Sequence, residues 1–428
     1  MTRSGPLRDN ADFRRYWLGQ LASDLGSQLS LVAYPLLVLT LGGTPAQAGG
    51  IATASLLVRL ACRLPAGVLV DRADRRRVML AADLVRAGAV ATIPAAALVG
   101  GPAYPHLIVV AVVEGAATSV FWPAAAISVR RLVPPQQLTD AMARSQARAA
   151  TVFLIGPALG GWLFTVNRLA PFVGDAVSYL VSALQIAKIR TPLPPENARS
   201  RPDMRVLAGI SWLLRQRVLR NVYLYAGALN MATGAAVLAT IVVAQRHGAS
   251  GTVIGFALTT IGAGGVAGTL IAPLLVRRVP PPALFFAVGA ALTGAMAVLA
   301  VVSSPWTAGA VLGAALLLSP AAGILVGKVM LLDAPKELQG RVAVASDLLM
   351  SGLAAAGPLI TGILLDGVGA RGTWFVLIAL VGGATVAALP TFRTPGFLAD
   401  PAPEPVTPPA AVPAGSSTYP RKERHADV

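Results

Sequence analysis

Charge is what this chain has least of. Asp, Glu, Lys and Arg make up only 13% of its 428 residues, while 55% are hydrophobic. That charge share is about half that of a soluble globular domain, so water is not the chain's main solvent. Cysteine is also scarce: the single Cys62 lies inside an apolar segment and reads as an inert core thiol. There is accordingly no disulfide framework and no metal-ligand spacing, and neither a metal nor a cofactor is expected. The period-two alternation in ten-residue segments that marks outer-membrane strands is missing, which excludes a β-barrel. No Gly-rich loop ending in Lys-Ser/Thr occurs, so ATP is not the direct energy source. No nucleophile elbow or zinc-binding helix occurs either, and enzymatic activity is not expected. Met1 to Asn10 lacks the basic start, apolar core and cleavage site of a signal peptide, so the first helix is expected to insert uncleaved.

What is there is a series of apolar segments of spanning length, close to the 20 or so residues that carry an α-helix across hydrocarbon. Twelve can be counted, the first over 17–41 and the last over 373–391. The predicted fold class is therefore an all-α membrane protein with twelve transmembrane helices. The net charge of +16 does not point to nucleic acid, because the basic residues are spread over alternate connections. Arg72, Arg75, Arg76 and Arg77 form one group, Arg130 and Arg131 the next, then Lys188 through Arg220, Arg277 with Arg278, and Lys336 with Arg341. The intervening connections carry only Arg168, Arg246 and Arg371. By the positive-inside rule this is a multi-pass protein of the inner or plasma membrane with both termini cytoplasmic.

A polar, Pro- and Arg-rich stretch separates the sixth segment from the seventh and divides the chain into two pseudo-symmetric six-helix bundles. The expected organisation is a cytoplasmic N-terminal segment over 1–16, a first bundle over 17–190, an inter-bundle loop over 191–217, a second bundle over 218–392, and a disordered cytoplasmic tail over 393–428. The halves carry a faint repeat. Pro135, Leu138, Gly156-Pro157 and Gly161 in the first are answered by Pro335, Leu338, Gly357-Pro358 and Gly362 in the second, an offset near 200 residues.

The most informative segment is Gly67-Val68-Leu69-Val70-Asp71-Arg72-Ala73-Asp74-Arg75-Arg76-Arg77. A positive-inside loop explains its arginines but not its two aspartates. It resembles the loop signature of the major facilitator superfamily, with Asp74 where the general pattern has Gly, a variant found in the branch of enterobactin exporters and macrolide efflux proteins. Asp12-Phe13-Arg14-Arg15-Tyr16-Trp17-Leu18-Gly19 and Asp175-Ala176-Val177-Ser178-Tyr179-Leu180 are similar to signatures of the same branch. The resemblance implies that the Gly67, Asp71, Arg72, Asp74, Arg75 and Arg76 cluster latches the two halves on the cytoplasmic side when the protein faces outward. Gly156, Pro157, Gly160 and Gly161 resemble the fifth-helix motif of drug/proton antiporters, which shapes an occluding helix; Val152 stands where the longer motif has another Gly.

Ionisable residues inside spans cost several kcal/mol unless paired or facing water, so each is a functional candidate. Glu114, ten residues into the fourth segment, falls near the bilayer midplane and is the first choice for a protonatable carboxylate, either paired with Arg59 or protonated. Arg59 and Arg63 share a helix face and need acids nearby; Asp24, Asp83 and Glu114 are available. Asp83, Arg86, Arg144 and Arg148 read as structural bridges near the cytoplasmic mouth. Asp175 lies in the sixth helix; Asp347, in the eleventh, is expected to pair with the arginines of the Asp71 cluster or with Lys328. Phe121, Trp122, Phe153, Tyr34 and Tyr225 are possible substrate contacts.

The resemblance implies a monomeric secondary transporter that exports small amphipathic organic molecules by proton antiport, of the multidrug-resistance kind. Its partners are then the substrate, protons and the lipid bilayer. Uptake by symport on the same fold, and a membrane receptor or scaffold without transport, are the rivals. Vesicle transport direction separates the first, and absence of substrate-dependent proton movement the second. The charge asymmetry makes a direct prediction: a reporter fused after Arg393 should be active in the cytoplasm. Activity only outside the cell would overturn the assigned orientation.

Overall fold

The computed structural model describes residues 7–195, 206–333 and 339–393. The long elements are α1 (Ala11–Thr40), α2 (Pro45–Arg72), α3 (Arg75–Ala96), α4 (Tyr104–Leu132), α5 (Leu138–Val166) and α6 (Ala170–Ala187), then a short α7 (Val206–Arg215). They continue with α8 (Arg217–Arg246), α9 (Gly251–Arg278), α10 (Pro281–Val301), α11 (Pro305–Leu316), α12 (Ser319–Asp333), α13 (Gln339–Gly367) and α14 (Gly369–Phe392). With α11 and α12 forming one span over Pro305–Met330, there are 12 helices long and apolar enough to cross a membrane. Local signals set their ends. Asn10 caps α1 by accepting from the Phe13 amide, and Thr44 and Gln47 form a reciprocal capping box at α2 with Pro45 at its first turn. Gly42 (φ 82°) and Gly248 (φ 79°) turn the chain after the first helix of each half.

Two differences from the sequence reading stand out. The first helix begins at Ala11, inside the segment assigned to the cytoplasmic N-terminus over 1–16, because the Asn10 cap brings the charged Asp12 and Arg15 into its first turns. The loop assigned to 191–217 contains α7, whose sequence VLAGISWLLR spaces apolar residues three and four apart, and it packs on α13. Pro335 and Leu338 of the repeat, and the tail beyond Arg393, lie outside the described residues.

The two halves share one packing plan. In the first, α1 packs on α6 and α5, α2 and α3 on α4, and α3 on α6; in the second, α8 packs on α14 and α13, α9 and α10 on α11, and α10 on α14. Between halves the main contacts are α2 with α13 and α5 with α9, and these two seams are mates under the same pseudo-symmetry. At one seam a Cβ on Gly49 would strike the Pro358 carbonyl, and one on Gly362 the Pro45 carbonyl. At the other, Gly255 faces the Pro157 carbonyl and Gly161 the Gly251 carbonyl. Gly156 and Gly357 instead abut the first helix of their own half, at Gln28 and Met231.

Each proline also leaves backbone groups to be satisfied, and a threonine from the facing helix does so. The Thr53 hydroxyl donates to the Ala355 carbonyl (2.7 Å) and accepts from the Leu359 amide (3.2 Å), standing between two groups that a regular helix pairs with each other. Across the second seam Thr259 accepts from the Ala158 amide (3.2 Å). Without water, such groups must be satisfied inside the protein. All these contacts lie toward the end opposite the termini, which is closed. The lipid-facing surface is apolar, with Leu270 79% and Val301 78% exposed.

The seam geometry predicts an asymmetry among glycines. Gly49→Leu should destabilise detergent-purified protein by about 1–3 kcal/mol through overpacking. Gly265→Ala, whose Cβ meets nothing within 4 Å, should melt like wild type. Thermal denaturation of the two variants checks this, and equal melting would mean the α2–α13 seam is looser than described.

Candidate functional site

Helices from both halves enclose a central cavity of about 340 Å³. Its wall is formed by Ser27, Leu31, Tyr34, Ile51, Ser55, Arg59, Glu114 and Phe153 from the first half, and Val237, Leu238, Ile241, Leu258 and Ile261 from the second. Among the described residues, Arg59 and Glu114 are the only charged ones on it. The size falls at the lower end of small-molecule sites, and the mostly apolar wall with a few polar groups is their usual make-up. A second cavity, of about 490 Å³, lies within the second half between α8, α10, α12 and α13, with Tyr223, Tyr225, Asn230, Ser346 and Asp347 on its wall.

Glu114, 5% exposed, is held by two phenols: Tyr179 donates to one carboxylate oxygen (2.9 Å) and Tyr34 to the other (3.2 Å). The Tyr179 oxygen also meets the Ser27 hydroxyl at 2.9 Å. One turn along α1, Ser30 donates to Asp175, which is fully buried. Ser27, Ser30 and Tyr34 lie on one face of α1, at spacings of three and four residues, and link a carboxylate on α4 to one on α6. Neither acid makes an ion pair among the described residues. Behind Tyr179 lies Arg86, whose guanidinium carbon sits 4.3 Å from the ring centroids of both Tyr179 and Phe121 and which is ion-paired to Asp83. The tyrosine ring thus stands between Glu114 and that arginine.

Of the two states expected for Glu114, paired with Arg59 or protonated, the ion pair is not formed among the described residues, and the carboxylate oxygens accept instead from Tyr34 and Tyr179. Asp24 pairs instead with Arg148 (3.3 Å). Asp347 pairs neither with the Asp71 cluster nor with Lys328 but with Arg63, across the two halves, both side chains being about half exposed. Of the aromatic residues singled out, Tyr34 and Phe153 line the central cavity and Tyr225 the second one. Phe121 is buried beneath Arg86, and Trp122, 53% exposed, lines neither.

The signature segments have definite local work. Asp74 caps α3 by accepting from the Arg77 amide (3.0 Å), so an acid replacing glycine there has a backbone partner. Arg75 is fully buried, its amide bonded to the Leu193 carbonyl (3.1 Å), and Arg76 donates to the Ala187 carbonyl, which ties α3 to the end of α6. Arg72, exposed, ends α2, where a cation suits the helix dipole. Asp71 makes no hydrogen bond or ion pair among the described residues, and a Cβ on Gly67 would meet open space. Asp12 accepts from the Arg190 and Thr191 amides and the Thr191 hydroxyl, fastening α1 to the chain after α6. Gly156, Pro157 and Gly161 sit at the seams described above, and Gly160 faces Leu29 of α1. Sequence reasoning missed the roles of Ser27, Ser30 and Tyr179; the signal present was the polar face of the first helix opposite the Asp175–Tyr179 segment.

A family model described as Major Facilitator Superfamily matches residues 16–356. The chain is 29% identical over 401 residues to the multidrug efflux pump Tap of Mycolicibacterium fortuitum, covering 87% of this chain and 94% of that protein. It is 28% identical over 184 residues to macrolide efflux protein A of Streptococcus pyogenes, covering 42% and 45%. Among solved structures, the nucleoside transporter NupG, crystallised as a mutant, superposes with a TM-score of 0.73 at 12% identity, over 90% of this chain and 100% of that one.

The Arg63–Asp347 bridge is open to test. Half-exposed pairs of this kind contribute on the order of 0–1 kcal/mol, so the pair biases the spacing of α2 and α13 without locking it. On a Cys62→Ser background, spin labels at Leu69 and Val344 should move apart or broaden in Arg63→Asp. They should return to the wild-type distance in the Arg63→Asp, Asp347→Arg double variant. A single variant with an unchanged distance distribution would rule out the bridge.

Proposed function

The chain belongs to the Major Facilitator Superfamily, and on that premise we propose that it exports small amphipathic organic molecules across the cell membrane by proton antiport with alternating access. The carrying observation is the central cavity between the halves, with a carboxylate on its wall that has hydroxyl partners but no counter-cation. The similarity to efflux pumps supports export. A carboxylate held by hydroxyls can gain or lose a proton by reorienting O–H bonds, without breaking an ion pair. Glu114 is the proposed proton site, with Asp175 its buried partner through Ser30, Tyr34 and Tyr179. Protonation removes the charge from the Glu114–Asp175 pair and so gives the two conformations different proton affinities.

With both termini cytoplasmic, the closed seams face outward and the cavity is in its loading state. Transport then requires the Gly49/Pro358 and Gly255/Pro157 seams to part while the other end closes. Asp71 and the open face at Gly67 fit a latch that engages only after that closure, with Asp71 accepting charge-assisted bonds from the opposite half. The protein is proposed to act as a monomer.

Inverted vesicles with an acid interior provide the test, using a panel of fluorescent amphiphiles. Wild type should accumulate substrate, whereas Glu114→Gln should retain binding and lose at least about ten-fold of the gradient-driven accumulation. Asp71→Asn should insert normally and transport several-fold more slowly. Undiminished uphill accumulation by folded Glu114→Gln would exclude Glu114 as the coupling site. Accumulation only in right-side-out vesicles would replace export with uptake.

A further inference from the structure

Arg59 is the cation on the wall of the central cavity, and among the described residues no acid is ion-paired to it. Among the described residues it makes no hydrogen bond or ion pair, and its Nε is enclosed with no acceptor. Among the described residues, the acids of the neighbouring helices are engaged elsewhere. Glu114 is held by Tyr34 and Tyr179, Asp24 by Arg148, Asp83 by Arg86, and Asp347 by Arg63 one turn farther along the same helix. Ser55, one turn back on α2, lines the cavity beside it, as does Gln28 of α1. The result is a guanidinium flanked by neutral hydrogen-bonding groups, set in a wall that is otherwise largely apolar.

A neutral or cationic amphiphile entering this cavity would displace water from Arg59 and return nothing for the lost hydration, a cost of several kcal/mol in a low-dielectric site. A carboxylate, sulfonate or phosphate would replace that water with a planar, charge-assisted pair of hydrogen bonds, which guanidinium geometry favours. On the reading of the central cavity as the transport site, we propose that its substrate is an amphipathic organic anion, with the acid group on Arg59. The apolar body then lies against Leu31, Ile51, Phe153, Val237 and Leu258. Arg59 is the specificity determinant, because the same wall without its charge would accept any apolar body of the right size.

The test uses the purified full-length protein in phosphatidylcholine nanodiscs, so that no anionic lipid headgroup competes, and four probes on one ring system. These are 2-naphthoate, naphthalene-2-sulfonate, 2-naphthalenemethanol and 2-naphthylmethylammonium, with binding measured by equilibrium dialysis. The two anions should bind at least ten-fold more tightly than the alcohol or the ammonium. Arg59→Gln should bring the anions to the level of the alcohol, and Arg59→Lys should keep most of the preference. Arg59→Gln removes a charge that has no protein partner, so no acid is left unpaired by it. Should it still fail to fold, the four-probe series on wild type and Arg59→Lys decides the question. Absence of an anion preference in wild type, absence of binding by all four probes, or anion affinity unchanged in Arg59→Gln would each overturn the assignment. Adding phosphatidylglycerol to the nanodiscs separates the sources: a bound lipid headgroup would abolish naphthoate binding, whereas a soluble cargo would still compete. If the anions bind through Arg59 but no imposed pH gradient moves them, the export reading fails and the anion site stands. If a cationic amphiphile is driven uphill regardless of Arg59, the anion site fails and export stands.

Discussion

The close approach of four helices at two seams is the constraint from which the rest of the structure follows. Lipid offers little hydrophobic drive for helices to associate, so they adhere where backbones come near enough for van der Waals contact and hydrogen bonding. At α2–α13 and at α5–α9 the approach is made by glycine against a proline-kinked helix, with a threonine bonded to the backbone just beyond the proline. Gly49 and Thr53 do on one side what Gly255 and Thr259 do on the other. Interhelical hydrogen bonds in membranes contribute about 0.6 kcal/mol each on average, so such a seam is closed without being permanent. A seam of several ion pairs would be far harder to part in a low-dielectric setting. Because both seams lie toward one end, the space left between the halves is a cavity enclosed there, and Pro157 and Pro358 both stand on its wall.

The handling of charge inside this frame is selective. Asp83 with Arg86, and Asp24 with Arg148, are acids neutralised by a cation within their own half. Glu114 and Asp175 are treated differently, since among the described residues their side chains are hydrogen-bonded by hydroxyls alone, and the serine–tyrosine face of α1 serves both. Burying two acids without cations is costly unless a proton is present, which is the ground for proposing this pair, and not the paired acids, as the working site. Arg86 is near enough to polarise Tyr179 through the face of its ring but contacts neither acid. The arrangement separates the ion-paired acids of the first half from the two acids proposed to change charge during transport.

The fold was readable in the sequence because its signals are local. Span length, the Asn10 and Thr44 caps and the Gly-Pro helices each act within one segment, and the first-half to second-half offset already pointed to duplicated packing. The start of α1 lies ahead of the apolar run that begins at 17, because the Asn10 cap admits the charged Asp12 and Arg15 to its first turns. α7 was overlooked because the prolines and arginines around it dominate the composition of its stretch. Glu114 and Asp175 stood out as buried acids by depth alone, but their partners did not. Tyr34 and Tyr179 are 145 residues apart in sequence (179 − 34) and meet only through tertiary packing. The same limit applies to Asp347, whose partner Arg63 lies in the other half.

If the protein exports its cargo in exchange for protons, as proposed, the charge of the cargo also sets how much the membrane potential contributes. Moving one elementary charge through 100 mV is equivalent to roughly 2.3 kcal/mol. Exchange of one inward proton for one outward cation moves no net charge, so only the pH gradient drives it. With a neutral cargo one charge moves inward, and with an anion the equivalent of two, each favoured by an interior-negative potential. An unpaired Arg59 at the cavity would therefore select cargo whose export the potential assists twice over, about 4.6 kcal/mol per 100 mV. Such an assisted step tolerates a cavity that holds its cargo firmly, because the field as well as the proton helps to release it on the far side. On the proposed proton coupling, an arginine without a counter-acid at the cavity would match the binding site to the energy source through charge.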